Sequence, residues 1–132
     1  MSMNDIIGKV VSVTGNGEVG YGTAAAAILG VVTKIEPIGT GVNELSFDGI
    51  KDGGTFTVDS TTLTALAIAG GHVVTVNWNS AFEGVVTNAT APLAGVYLAN
   101  DGTGKVITSA TATNVIALSV DGTTKVATVK IV

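Results

Sequence analysis

Short runs of apolar and β-branched residues recur along the whole chain, and glycine, asparagine and aspartate separate them. Valine and threonine favour extended backbone, and short runs bounded by turn residues are typical of β-strands. The run at 126–131 alternates side chains between two faces, as a strand does. The pattern predicts strands at 9–14, 28–35, 44–47, 55–58, 72–78, 84–87, 95–99, 105–108, 115–120 and 125–132.

Two stretches have helical character, at 23–29 with its four alanines and at 60–69, where Asp59 or Ser60 is a candidate N-cap. Each is about ten residues or fewer, which is marginal for a helix without tertiary support. Between the strands, Asn16-Gly17, Asp101-Gly102 and Asp121-Gly122 predict hairpin turns, because these residues tolerate a positive φ.

An internal repeat organises the pattern. Residues 10–19 parallel residues 97–106, and residues 28–31 align with 115–118 at the same offset of 87. Each copy contains a strand, a Gly-x-Gly turn, a stretch of small residues and a second apolar strand. Chance alignment of low-complexity β sequence is the alternative, but the ungapped register favours a true repeat.

The predicted fold is therefore all-β: a small β-barrel or sandwich-like domain with an internally repeated β module and at most one or two short helices. We expect an N-terminal arm at 1–8 and a single β domain at 9–132. Its repeat modules lie at about 9–36 and 96–132, with a central β segment between them.

Composition narrows the possible chemistry. The chain of 132 residues has no cysteine, which excludes disulfides and thiolate metal sites. Net charge is −4 with six lysines and no arginine, so nucleic acid is a poor partner. The longest nearly apolar run, at 24–32, is far shorter than the roughly 20 residues that span a bilayer. No N-terminal targeting segment is visible, and we expect no membrane partner.

The low content of charged residues is the unusual feature. Only 12% of the residues are charged, against about 25% in ordinary soluble domains. Mean hydropathy is +0.56, although no segment resembles a membrane span. Either the surface is neutral and rich in Thr, Asn and Gly, or partners cover much of it. A neutral monomer would risk association, so we favour the second explanation and expect a homo-oligomer or a subunit bound to a larger assembly.

The motif Gly15-x-Gly17-x-x-Gly20 matches the dinucleotide-binding fingerprint, with Glu36 as the acidic residue. The following alanine run has no polar face and is too short to cross over a sheet. The equivalent turn at Gly102-x-Gly104 precedes a poor helix sequence. A repeated hairpin explains both turns, so we expect no bound cofactor, and a nucleotide-binding protein remains the weaker alternative.

Other candidate residues favour structural roles. His72 is the sole histidine, and we expect it to be a partly exposed strand residue rather than a zinc ligand or catalytic base. Aspartates 48, 52, 59, 101 and 121 lack the spacing of a calcium loop and suit turns instead. Trp78 is better suited to anchor a core or a subunit interface than to stack on a sugar, and we take it as a subunit-interface candidate.

Residues 20–32, 45–47 and 53–58 together resemble the core of the head decoration proteins of tailed bacteriophages. The shared pattern is a turn, small residues, a strand similar to Ile-Leu-Gly-Val, a spacer and a strand ending in Gly-x-Phe. Residues 95–132 also resemble the capsid cement proteins of other tailed phages. The chain differs from the family by carrying the module twice and by lacking a long N-terminal arm rich in Ser, Thr and Pro.

The resemblance implies a non-enzymatic protein that binds the major capsid protein on the exterior of the virion, often as a trimer. From the hairpin interpretation of Gly15-Asn16-Gly17 we also expect no metal requirement. The resemblance also points to the N-terminal arm for attachment, with Asn4, Asp5, Ile6 and Ile7 as the capsid-contact candidates. The alternative is that Ile6 and Ile7 begin the first strand and fill the protein's own core. A different virion or cell-surface β module, such as a tail, fibre or adhesion domain, is the rival function.

Overall fold

The computed structural model describes residues 3–38, 47–48, 53–78, 82–86, 95–121, 123–124 and 126–131. A 3-10 helix at Met3–Ile6 and one α-helix, α1 at Ser60–Ala65, accompany the strands. The strands are β1 Val10–Gly15, β2 Glu18–Gly20, β3 Gly30–Pro37, β4 Phe47–Asp48, β5 Gly53–Val58, β6 His72–Asn77, β7 Phe82–Val86, β8 Tyr97–Asn100, β9 Val106–Thr108, β10 Val115–Val120 and β11 Val126–Ile131. The all-β prediction is confirmed.

The first sheet closes into a five-stranded barrel. Its order is β2-β1-β3-β6-β5, and a parallel pairing of β2 with β5 completes the ring, while β4 adds to the free edge of β5. Alternate side chains point inward and fill the barrel. The buried residues of this first core are Ile6, Val11, Val19, Val32, Phe56, Val58, Leu66, Val74 and Val76.

The helix α1 connects two barrel strands. Asp59 caps it, because its Oδ1 accepts a hydrogen bond from the backbone N–H of Thr62 at 2.7 Å. Leu66, which follows the helix, is buried in the barrel core. The helix ends before the predicted position 69, since Ala67 has a φ of 56° that right-handed helix cannot continue.

Of the two stretches with helical character, the one at 23–29 does not form a helix. This segment has no regular structure, and Ala25 adopts a φ of 67°. Tertiary contacts override the local propensity, because the N–H of Ala25 donates to the carbonyl of Asn100 at 2.8 Å. The side chain of Asn114 exchanges two hydrogen bonds with the backbone of Ile28.

The second sheet is antiparallel, with the order β7-β11-β10-β8-β9. It packs on the outer face of β1 and β3, where Val10 and Val31 point away from the barrel interior. A second buried core lies between the two layers, formed by Val10, Ile28, Val31, Leu98, Val106, Val115, Ala117, Ala127 and Val129. The neighbouring pairs Val10-Val11 and Val31-Val32 therefore fill different cores.

The two repeat copies pair their strands in the same order, β2-β1-β3 and β9-β8-β10. Ser12 pairs with Gly20 in the first hairpin, and Ala99 pairs with Ile107 in the second, which is the same register at an offset of 87. The third strand is shifted, because Val10 pairs with Val31 but Tyr97 pairs with Ile116. The shift of two residues preserves which face each side chain occupies.

Asn100 joins the two copies. Its side chain is almost fully buried, and its Nδ2 donates to Ser12 Oγ at 3.0 Å and to the carbonyl of Tyr21 at 2.8 Å. Its Oδ1 accepts from the N–H of Gly102 at 2.7 Å. One amide thus links the barrel to the turn that follows β8.

The prediction of a free arm at 1–8 is wrong for the residues from the 3-10 helix onward. Ile6 is fully buried in the barrel core, and the N–H of Gly8 donates to the carbonyl of Val32 at 2.9 Å. The apolar side chain of Ile6 gains more by filling the protein's own core than by staying in water. Of the capsid-contact candidates, Ile6 is therefore a core residue, while Ile7 is 43% exposed and Asp5 is exposed.

Candidate functional site

The outer face of the second sheet carries an apolar surface, which we call the open face: Tyr97, Ile107, Ile116 and Leu118. Tyr97 on β8 pairs with Ile116 on β10, and Ile107 on β9 pairs with Ala99 of β8, so these side chains share one face. Tyr97, Ile107 and Leu118 are 38%, 38% and 47% exposed. This face lies opposite the one that packs on the barrel.

A bulge in β10 presents Leu118 on this face. The register of β10 against β11 shifts between Ala117 and Ser119, which leaves Leu118 without a paired residue. Ala117 points inward and is buried, whereas Leu118 points outward. The bulge therefore adds an exposed leucine beside Ile116.

In the first repeat copy, the face equivalent to the open face is covered by another layer of the protein. The pair Val10–Val31 in the first copy corresponds to the pair Tyr97–Ile116 in the second. Val10 and Val31 are 0% and 2% exposed because the second sheet lies on them. The equivalent face of the second copy has no layer on it among the described residues, so the stack of modules ends on an apolar surface.

Few charges border the open face. Lys130 pairs with Ile116 and is exposed, and the other outward-facing residues of β8, β9, β10 and β11 are apolar or neutral. A surface with one cation and large apolar side chains suits contact with protein.

The structure separates this face from the residues that the sequence nominated. Asp5 and Ile7 lie at the barrel, and the side chain of Asn4 lies outside the described residues. Trp78 packs against the barrel core, with its ring centroid 6.1 Å from that of Phe56. The subunit-interface role of Trp78 stays a prediction. Sequence reasoning missed the open face, although the run Val115–Val120 carries apolar residues on both faces, which indicates burial on both sides.

The turn Gly15-Asn16-Gly17 joins the antiparallel strands β1 and β2, as the hairpin prediction requires. The dinucleotide fingerprint needs a helix after this turn, and here a strand follows. Gly20 packs so closely against the Asp59 carboxylate that a Cβ at this position would collide with it. A carboxylate at this point disfavours a phosphate group.

His72 is buried, with 5% of its surface exposed, which corrects the expectation of a partly exposed residue. Its Nδ1 lies 3.1 Å from the carbonyl oxygen of Gly70 at the start of β6.

Within the described residues, no group of three or more histidine, aspartate or glutamate side chains is placed to hold a metal ion. In this part of the chain, no helix has the length and apolar character needed to cross a bilayer.

A separate groove opens where the barrel meets the turn before β9. The groove is lined by Asp5, Lys9, Tyr21, Ala65, Leu66, Gly102, Thr103 and Lys105. Burial raises the pKa of the Tyr21 hydroxyl to about 12, and the nearby charge of Asp5 adds to the rise. Its lining combines the charged residues Asp5, Lys9 and Lys105 with the apolar Leu66.

The raised pKa of Tyr21 predicts a loss of stability at high pH. Above pH 10 an unfolded tyrosine ionises while the folded one stays protonated, so the free energy of unfolding falls as the pH rises from about 10 to about 12. We expect Tyr21→Phe to flatten this fall. Urea unfolding across this pH range, in a Tyr97→Phe background, measures the effect, and an equally steep fall in Tyr21→Phe would contradict it.

Comparisons with known proteins give no relatives: no family model, no curated protein and no solved structure matches this chain.

Proposed function

We propose that this chain is a structural, non-enzymatic protein that binds the outside of a mature phage capsid through its open face and stabilises the shell. The partner is the major capsid protein, and the bound form is a homo-oligomer, for which the resemblance favours a trimer. No cofactor takes part in this function.

The open face is the observation that carries the proposal. Covering Tyr97, Ile107, Ile116 and Leu118 removes apolar surface from water, which favours association by about 25 cal/mol for each Å² that is buried. The first repeat copy already packs its equivalent face in this way. The low charge of the chain and the resemblance to head decoration proteins add support.

Stabilisation follows from mass action. A protein that binds the expanded shell but not its dissociated or unexpanded forms lowers the free energy of the expanded shell. The effect grows with the concentration of free protein relative to its dissociation constant. No chemical step is needed, only a rigid surface that matches the lattice.

The test mixes purified protein with a panel of undecorated expanded heads of tailed phages and measures the fraction that pellets with the heads. We expect the natural chain to pellet with at least one kind of head. Leu118→Asp should bind about tenfold more weakly or worse, because forming the interface would remove a charged carboxylate from water.

The matched control is Thr61→Asp, which adds the same charge at an exposed position on α1 of the barrel. Its binding should equal that of the natural chain, and both variants should keep the melting temperature. The proposal would be overturned if the natural chain pelleted with none of the heads, or if Leu118→Asp bound as tightly as the natural chain. If Leu118→Asp changes only the mass of the protein in solution, the open face joins copies of this chain instead.

A further inference from the structure

The tip of the first hairpin, between β1 and β2, carries an asparagine whose side chain can react with the backbone nitrogen of the next residue. Asn16 is exposed, and its side chain makes no hydrogen bond with the described residues. Gly17 follows it, with a φ of 69°. Asn16-Gly17 is the only Asn-Gly pair in the chain. A glycine has no Cβ to shield its backbone nitrogen, so the neighbouring side chain can approach it.

We propose that Asn16 is a site of spontaneous deamidation, and that this modification weakens the fold where β2 pairs with β5 to close the barrel. The backbone nitrogen of Gly17 attacks Cγ of Asn16, a C–N bond forms, and the bond from Cγ to Nδ2 breaks. Ammonia leaves with the proton from Gly17, and a cyclic imide remains. Water then opens the imide at either carbonyl to give aspartate or isoaspartate, each with a new negative charge.

The position of this turn gives the modification a structural consequence. The carbonyl of Gly17 accepts a hydrogen bond from the N–H of Thr57 at 3.0 Å, beside the parallel pairing of β2 with β5 that closes the barrel. Isoaspartate lengthens the backbone by one carbon directly before Gly17. The paired residues Gly15 and Glu18 flank the turn, so the added carbon disturbs the hairpin register.

The new charge acts separately from the longer backbone. The Glu18 carboxylate lies close to Gly15, on the same turn, so a carboxylate at position 16 adds a like charge nearby. Aspartate introduces only this charge, whereas isoaspartate introduces both changes. We expect the isoaspartate form to melt at a lower temperature than the aspartate form.

The experiment incubates the full chain in mildly alkaline buffer at body temperature and follows each asparagine by peptide mass mapping. Asn16 should convert severalfold faster than Asn114, which is followed by valine and bonded to Ile28. Asn16→Gln keeps a neutral amide but forms a larger ring, so it should suppress the conversion. Asn16→Asp supplies the charge alone for the comparison of melting temperatures.

The proposal would be overturned if Asn16 converted no faster than Asn114. It would also be overturned if the Asn16→Gln variant gained negative charge during the incubation as fast as the natural chain. If the isoaspartate form melted at the same temperature as the Asn16→Asp variant, the longer backbone would have no effect of its own. The modification is independent of the open face, so these results do not depend on capsid binding.

Discussion

Ile6→Ala should lower the free energy of unfolding by about 2–5 kcal/mol, the range for truncating a fully buried isoleucine. Ile6 is 0% exposed and packs in the barrel core with Val11 and Val32. Removing three methyl and methylene carbons leaves a cavity that the closed barrel cannot fill by collapse. Urea unfolding measures the change, as a lower midpoint with an unchanged slope.

Ile7→Ala is the matched control, because Ile7 is the next residue and is 43% exposed. Its effect should stay within about 0.5 kcal/mol. If both variants kept the stability of the natural chain, the N-terminal segment would be a free arm and Ile6 would not belong to the core. Loss of stability in both would place Ile7 in a contact that the structure lacks.

Asn100→Ala should be the second most damaging change, with a loss of at least about 2 kcal/mol, because each buried polar group left unpaired costs about 1–3 kcal/mol. The substitution removes the partners of Ser12 Oγ, the Tyr21 carbonyl and the Gly102 N–H. These groups belong to both repeat copies, so the loss weakens their junction.

Asn16→Ala provides the comparison, since Asn16 is exposed and its side chain makes no hydrogen bond with the described residues. It should change the free energy of unfolding by about 0.5 kcal/mol or less. Hydrogen exchange would locate the effect of Asn100→Ala, with faster exchange at Ala25, whose N–H bonds to the Asn100 carbonyl. An Asn100→Ala variant as stable as Asn16→Ala would contradict the role of this amide.

Local patterns predicted the strands well because strand propensity and turn chemistry act over a few residues. The strand β1 and the turn at Asn16-Gly17 are examples. The short strand β2 at Glu18–Gly20 was not predicted, since three residues carry no clear alternation. Its parallel pairing with β5 closes the barrel, and nothing in either segment specifies a partner so distant in the chain.

The burial of individual residues was harder to predict than the strands. Ile6 fills the core and His72 is buried, while Leu118 lies on the open face. Alternation shows that two faces exist, but the tertiary arrangement decides which face is covered. The repeat offset predicted the shared hairpin register, and only the structure reveals that one copy lies on the other.

A cryo-electron microscopy map of an expanded head decorated with this protein tests the central proposal most directly. Our account predicts that Tyr97, Ile116 and Leu118 lie against the capsid protein, and that the barrel end of each subunit faces away from the shell. Bound subunits that turn the open face to solvent, and contact the capsid through the barrel instead, would contradict it.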